Sequence, residues 1–180
     1  EPGFETVTGL VELKSLQFGA WGDDPLPYYM EPQYSPVSTP DLAKEFPLVL
    51  TTGGRKFTSF HSEHRQIEVL RNIDPWPIVE IHPETAEKYG IKDGQWVEIE
   101  NQYGRCREVA RVAPTVHPGV IHAQHGWWYP EQEGEAPNYF GVWKSQINNL
   151  MPHEHIGKLG LGAPYKCLLC RIRPVMGLDD

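Results

Sequence analysis

What the chain has little of narrows its class before any motif is read. It has no apolar run approaching the roughly 20 consecutive residues that a membrane-spanning helix requires. Its first residues, EPGFETVTG, carry no basic start, no apolar stretch and no small-residue cleavage site, so no secretory leader is read there. They carry no initiator Met either. The expectation is a processed product or a piece of a longer polypeptide, with the compartment, cytoplasm or periplasm, left open. Cysteine is scarce: three residues, an odd number, which argues against a full disulfide framework. Positive charge is also short. Sixteen Lys and Arg against 24 Asp and Glu give a net charge of −8, the opposite of a nucleic-acid binder's basic stripe. A local basic pocket is still compatible with this balance, because Arg55, Arg65 and Arg71 lie close in sequence.

What is present is enough for one globular domain with an arm. The chain has 180 residues, 39% of them hydrophobic, which supports a real core. Proline and glycine, 17 of each, predict many turns and few long helices.

The central stretch is LVLTTGGRKFTSFHSEHR, residues 48–65. Leu48, Val49 and Leu50 read as a buried strand. Thr51, Thr52, Gly53 and Gly54 follow as a turn in which glycine permits positive φ and close approach of another group. Successive N–H groups in such a turn form an anion-binding concavity. Arg55 adds a planar fork of donors suited to phosphate or carboxylate. Phe57, Phe60, His61, Ser62, His64 and Arg65 then mix flat rings, donors and cations. Together these suit a large, flat, phosphate-bearing ligand; a surface hairpin with an ordinary Gly-Gly turn is the alternative.

Along the rest of the chain, Val11, Glu12 and Leu13 alternate as a short strand. Residues 21–45 contain five prolines and read as an extended arm without regular structure. Residues 62–72 have a helical pattern. Residues 78–81 read as a strand, and Pro83 to Gly90 as a short helix with proline at its start and glycine at its end. Residues 95–100 alternate as a strand, residues 101–104 form a hairpin connection, and residues 105–112 form its partner. Residues 120–123 and 165–175 are two further strands. Strand, short helix, strand, hairpin, strand, strand favours a closed barrel with small helices over alternating βαβ units.

These pieces, in this order, resemble the C-terminal cofactor-binding domain of the dimethyl sulfoxide reductase family of molybdenum and tungsten enzymes. Phe4, Thr6, Thr8, Gly9 and Glu12 look like the family's segment just before that domain, with Leu10 in place of a usual Lys. PLVLTTGGR followed by His61-Ser62 is similar to its T-G-R…H-[ST] loop. IVEIHPETAEKYGIKDGQWVEIENQYG resembles its core of strand, short helix, strand and glycine turn. HPGVIHAQHGWWYPE and SQINNL resemble two later segments. In the second, Asn148 takes the asparagine position, while Gln146 and Met151 depart from the pattern. The strand ending in Cys170-Arg171-Ile172 closes the match.

The resemblance implies a mainly β fold, a six-stranded double-psi β-barrel with short helices. The arm would occupy residues 1–45 and the barrel 46–176. It implies that the chain covers a bis-molybdopterin guanine dinucleotide whose molybdenum or tungsten is held upstream, where any Fe–S cluster also lies. Implied cofactor contacts are Thr52, Gly53, Gly54 and Arg55 in the turn, and His61 and Ser62. Further contacts are His125, Gly126 and Trp127, then Asn148, and finally Tyr165 and Lys166. A loop-capping role is the alternative for Asn148, and packing is the alternative for the second tryptophan of that segment, Trp128; Trp76, Trp96 and Trp143 read as core or interface. Implied partners are upstream domains of the same enzyme and electron-transfer subunits, without nucleic acid and without direct membrane insertion. No nucleophile–base pair or carboxylate dyad is evident, so no turnover is expected from these residues alone. Two readings from other classes stand beside this one. A zinc module would use His153, His155, Cys167 and Cys170, although cysteines three apart on a strand face opposite sides. A stand-alone double-psi barrel would bind partners without any pterin.

Overall fold

The computed structural model describes residues 3–153, 162 and 164–179. Six strands close into a barrel: β1 (Leu48–Thr52), β2 (Ile78–Ile81), β3 (Trp96–Asn101), β4 (Gly104–Val112), β5 (Val120–Ala123) and β6 (Leu168–Pro174). Around the barrel the order is β1-β5-β2-β4-β3-β6. β1 runs parallel to β5, and β2 parallel to β4; the other four pairings are antiparallel. This is the mainly β, six-stranded double-psi barrel expected from the resemblance.

Period-two patterning builds the interior. Leu48, Leu50, Val79, Ile81, Val97, Ile99, Cys106, Ala110, Ile121, Ala123, Leu168, Cys170 and Ile172 all contribute to one buried cluster. Their alternation along short strands turns every second side chain inward. Closure leaves no free sheet edge to protect. Inside the same wall sits one carboxyl, Glu108, wholly buried, its Oε2 accepting a bond from Gln124 N at 3.1 Å.

The described residues include four short helices: α1 (Leu16–Ala20), α2 (Pro40–Glu45), α3 (Glu68–Ile73) and α4 (Pro83–Tyr89). α4 follows its sequence signals closely: Pro83 occupies the first turn and Gly90 ends the helix in the left-handed conformation at φ 66°. Three expectations are corrected. Residues 11–13 form no strand, because Val11 and Leu13 are exposed and no neighbouring strand supplies their hydrogen bonds. The proline-rich arm does hold regular structure at its end, since Pro40 falls in the first turn of α2, where its missing N–H costs nothing. The helix expected over residues 62–72 is confined to α3, because His61 and His64 adopt positive φ (53° and 76°) and break the run before it.

Candidate functional site

Five separate segments converge on one cavity of about 480 Å³, lined by Thr52, Gly53, His61, Ser62, His125, Gly126, Gln146, Asn148, Tyr165 and Lys166. Its size suits an organic cofactor, since ligand pockets span about 300–1,000 Å³. β1 delivers the turn at its C-terminal end. Parallel β5 delivers the residues after Ala123 at the same end, and a 3-10 helix, Ile147–Leu150, presents Asn148. Gly53 and Asn148, almost a hundred residues apart, therefore face a common space.

Local bonds fix the wall. Thr52 Oγ1 donates to Ala123 O at 2.8 Å, tying the turn to β5. Lys166 Nζ donates to Thr52 O at 2.7 Å, placing the ammonium against the turn. Trp128 Nε1 donates to Ser62 O at 2.6 Å and anchors the loop carrying His61. His61 Nδ1 and His125 Nε2 lie 3.1 Å apart, a bond that requires one of the two nitrogens to be unprotonated. Burial, then the neighbouring His61 and Arg65, lowers the His125 pKa.

Two glycines are required by close approach. A Cβ on Gly54 would stand 2.5 Å from His122 Nε2, while that ring is held from behind by Thr51 Oγ1 at 2.8 Å. Gly126 has φ 67°, and a Cβ there would stand 2.8 Å from His61 O. The positive φ of His61 is a further local strain in the same loop, the kind found at ligand clamps.

The other sequence-predicted residues are placed differently. Gly54 and Arg55 line two neighbouring cavities, one of about 350 Å³ and one of about 90 Å³. Trp127 does not line the large cavity: its ring is wholly buried, with the Arg65 and Arg71 guanidinium carbons 4.3 and 4.8 Å from its centroid. In the structure it packs in the interior beside these two guanidinium groups. Gln146 lines the cavity although it departs from the family's pattern, and its Oε1 is buried without a partner among the described residues. His122 and Arg65 also border the neighbouring cavities; the adjacency of Arg65 to Arg55 in sequence was the available signal.

The zinc reading finds little support. Cys170 lies in the apolar barrel core, and burial pushes its thiol pKa up. Cys167 Sγ donates to Tyr34 O at 3.3 Å. His155 lies outside the described residues. Among the described residues, no three His, Cys, Asp or Glu side chains form a group able to hold a metal ion.

Against this geometry, a family model described as "Molydopterin dinucleotide binding domain" matches residues 48–168, the span that contains the turn, the histidine loop and Asn148. The chain belongs to the molydopterin dinucleotide binding domain family. It is 42% identical over 177 residues to acetylene hydratase of Syntrophotalea acetylenica, covering 92% of this chain and 24% of that protein. It is 42% identical over 157 residues to dopamine dehydroxylase of Eggerthella lenta, covering 85% of this chain and 15% of that protein. The solved structure of acetylene hydratase from Pelobacter acetylenicus superimposes with a TM-score of 0.82 at 34% identity, covering 96% of this chain and 24% of that one. The chain thus spans a quarter or less of the relatives it matches, and membership of the dimethyl sulfoxide reductase family follows from the same matches.

The donor set fits a molybdopterin-type cofactor. Lys166, His61, His125 and Asn148 supply donors, Gln146 Oε1 supplies an acceptor without a partner among the described residues, and none of the described lining residues is a carboxylate that would repel phosphate. A pterin edge, which both donates and accepts, uses such a mixed wall.

Proposed function

We propose that this chain is the cofactor-holding portion of a longer molybdopterin enzyme. In this reading it closes over a bis-molybdopterin guanine dinucleotide and has no turnover of its own. The observation that carries it is the convergence of Gly53, His61, Ser62, His125, Asn148 and Lys166 on one cavity whose described lining residues include no carboxylate. Asn148 and Gln146 would meet the pterin edge. The backbone N–H groups of the turn and Lys166 would meet negative charge. His61 and His125, bonded to each other, would set which imidazole edge faces the cofactor.

When bound, the cofactor supplies the metal-centred chemistry, oxygen-atom or electron transfer or, in some relatives, hydration, while the protein orients and tunes it. The metal, molybdenum or tungsten, would be ligated upstream, beside any Fe–S cluster. Partners in this reading are the upstream domains of the same polypeptide and electron-transfer subunits, with no role for nucleic acid. One relative is named for hydrating acetylene and another for dehydroxylating dopamine, which supports a substrate choice made outside these residues.

The test is pterin content. Purified, cofactor-loaded enzyme carrying Asn148→Ala is expected to release several-fold less fluorescent oxidised pterin per protein than the unaltered enzyme. The 180-residue chain assayed alone is expected to show no dye-linked redox activity. Unchanged pterin content, or turnover from these residues alone, would overturn the reading.

A further inference from the structure

We propose that the chain carries an oxyanion site, sized for a single phosphoryl group, in the small cavity between the Gly53-Gly54 turn and Arg65. The cavity measures about 90 Å³, room for roughly three waters at about 30 Å³ each. Its wall includes Arg55, Lys56, Arg65, Ser59, His61 and His125, and among the described residues no carboxylate lines it. That composition is notable in a chain with a net charge of −8.

Arg65 is the group that needs explaining. It is only 3% exposed, and its guanidinium carbon lies 4.3 Å from the centroid of the Trp127 ring. Among the described residues its one hydrogen bond is the long contact from Nη2 to His61 O at 3.4 Å, and its Nε is buried without a partner. Arg71, Arg107, Arg171 and Arg173 each meet a carboxylate at 2.5 to 3.2 Å; Arg65 meets none among the described residues. Asp74 is the acid whose field reaches it, but that carboxylate is taken by Lys56 at 2.9 and 3.0 Å, Thr58 at 3.3 Å and Gln124 at 3.2 Å.

A guanidinium withdrawn from water without a counter-charge is costly unless a hydrogen-bonded anion compensates it. Burial lowers the Arg65 pKa for the same reason. Donors arrive from several directions: two guanidinium forks, a hydroxyl and imidazole edges. A tetrahedral anion presents oxygens toward all of them, and an Arg–phosphate pair is frequently bidentate. The group has two possible sources: a phosphoryl carried by a ligand in the adjoining large cavity, which shares His61 and His125, or free inorganic phosphate. The site stands whether or not the large cavity takes the pterin dinucleotide.

Calorimetric titration of the chain with inorganic phosphate tests it. The expected result is one saturable site, weakened at least ten-fold by Arg55→Gln and by Arg65→Met, and unchanged by Arg105→Gln, an equal loss of charge on the exposed β3–β4 hairpin. Arg55 is exposed, so its variant keeps the test valid if Arg65→Met fails to fold. Displacement of phosphate by the pterin dinucleotide assigns the phosphoryl to that ligand, whereas simultaneous binding assigns it to the free anion; both outcomes support the site. Absence of saturable phosphate binding, or equal weakening by Arg105→Gln, overturns it. Pterin binding that is lost with Asn148→Ala but kept with Arg55→Gln and Arg65→Met, in a chain that takes up no phosphate, would sink the oxyanion site and leave the cofactor reading intact.

Discussion

Gly126 shows how much a single residue carries here. Its φ of 67° and the 2.8 Å that would separate a Cβ from His61 O leave no space for a side chain. Gly126→Ala is expected to cost about 1–2 kcal/mol from the left-handed backbone alone, and more from the displaced histidine loop. Urea denaturation measures the stability change, and pterin release is expected to fall in parallel. Glu108 is the second residue-scale case. Burial raises its pKa well above the usual 4.5. The folded state therefore holds the proton more tightly than the unfolded chain, so its contribution is full below about pH 4.5 and is lost progressively as pH rises toward the folded value. The stability difference between Glu108→Gln and the unaltered chain is expected to shift in favour of the variant as pH is raised from 4.5 to 8. A constant difference across that range would show that Glu108 does not change its ionisation between the two states. Both residues were poorly legible beforehand: a glycine's φ and a glutamate's burial depend on which strands meet, not on the residues beside them.

Among the elements, β3 carries a carboxylate that bridges both of its neighbours, in addition to the backbone ladders. Glu98 accepts bonds from Arg107 Nε at 3.2 Å on β4 and from Arg173 Nη2 at 2.5 Å on β6. Burial pushes its pKa up, but the bonds and charges of Arg173 and Arg107 outweigh that and hold it below the usual range. The sign is opposite to that of Glu108: this stabilisation is present above about pH 4.5 and is lost as pH falls through the lowered value. Glu98→Gln is expected to cost about 1.5–3 kcal/mol near neutrality, the scale of hydrogen bonds to charged groups. The cost should shrink in strong acid; denaturation curves at pH 7 and pH 3 check it. The elements themselves were largely readable. The strands over residues 78–81 and 120–123 stand where they were expected, and Pro83 and Gly90 bracket α4. Residues 11–13 misled because alternation signals a strand only when another strand is there to pair with it. The run before α3 misled because positive φ at His61 and His64 leaves no trace in hydrophobic spacing.

At the scale of the whole molecule, the barrel brings distant segments to one end, where two cavities open that no carboxylate of the described residues lines, in an otherwise acidic chain. The motif order over residues 48–168 made the family legible, and with it nine of the ten residues lining the large cavity. The tenth, Gln146, was hidden because it departs from the pattern that pointed to its neighbours. Arg55 and Trp127 lay beside the right segments but turn elsewhere, one toward the smaller cavities and one into the packed interior. The most direct measurement is nuclear magnetic resonance of the isotope-labelled 180-residue chain titrated with purified pterin dinucleotide. Saturable shifts concentrated at Gly53, His61, His125, Gly126, Asn148 and Lys166 are the predicted result; shifts centred on the outer face of β3, β4 and β6, or no saturable shifts at all, would contradict the account.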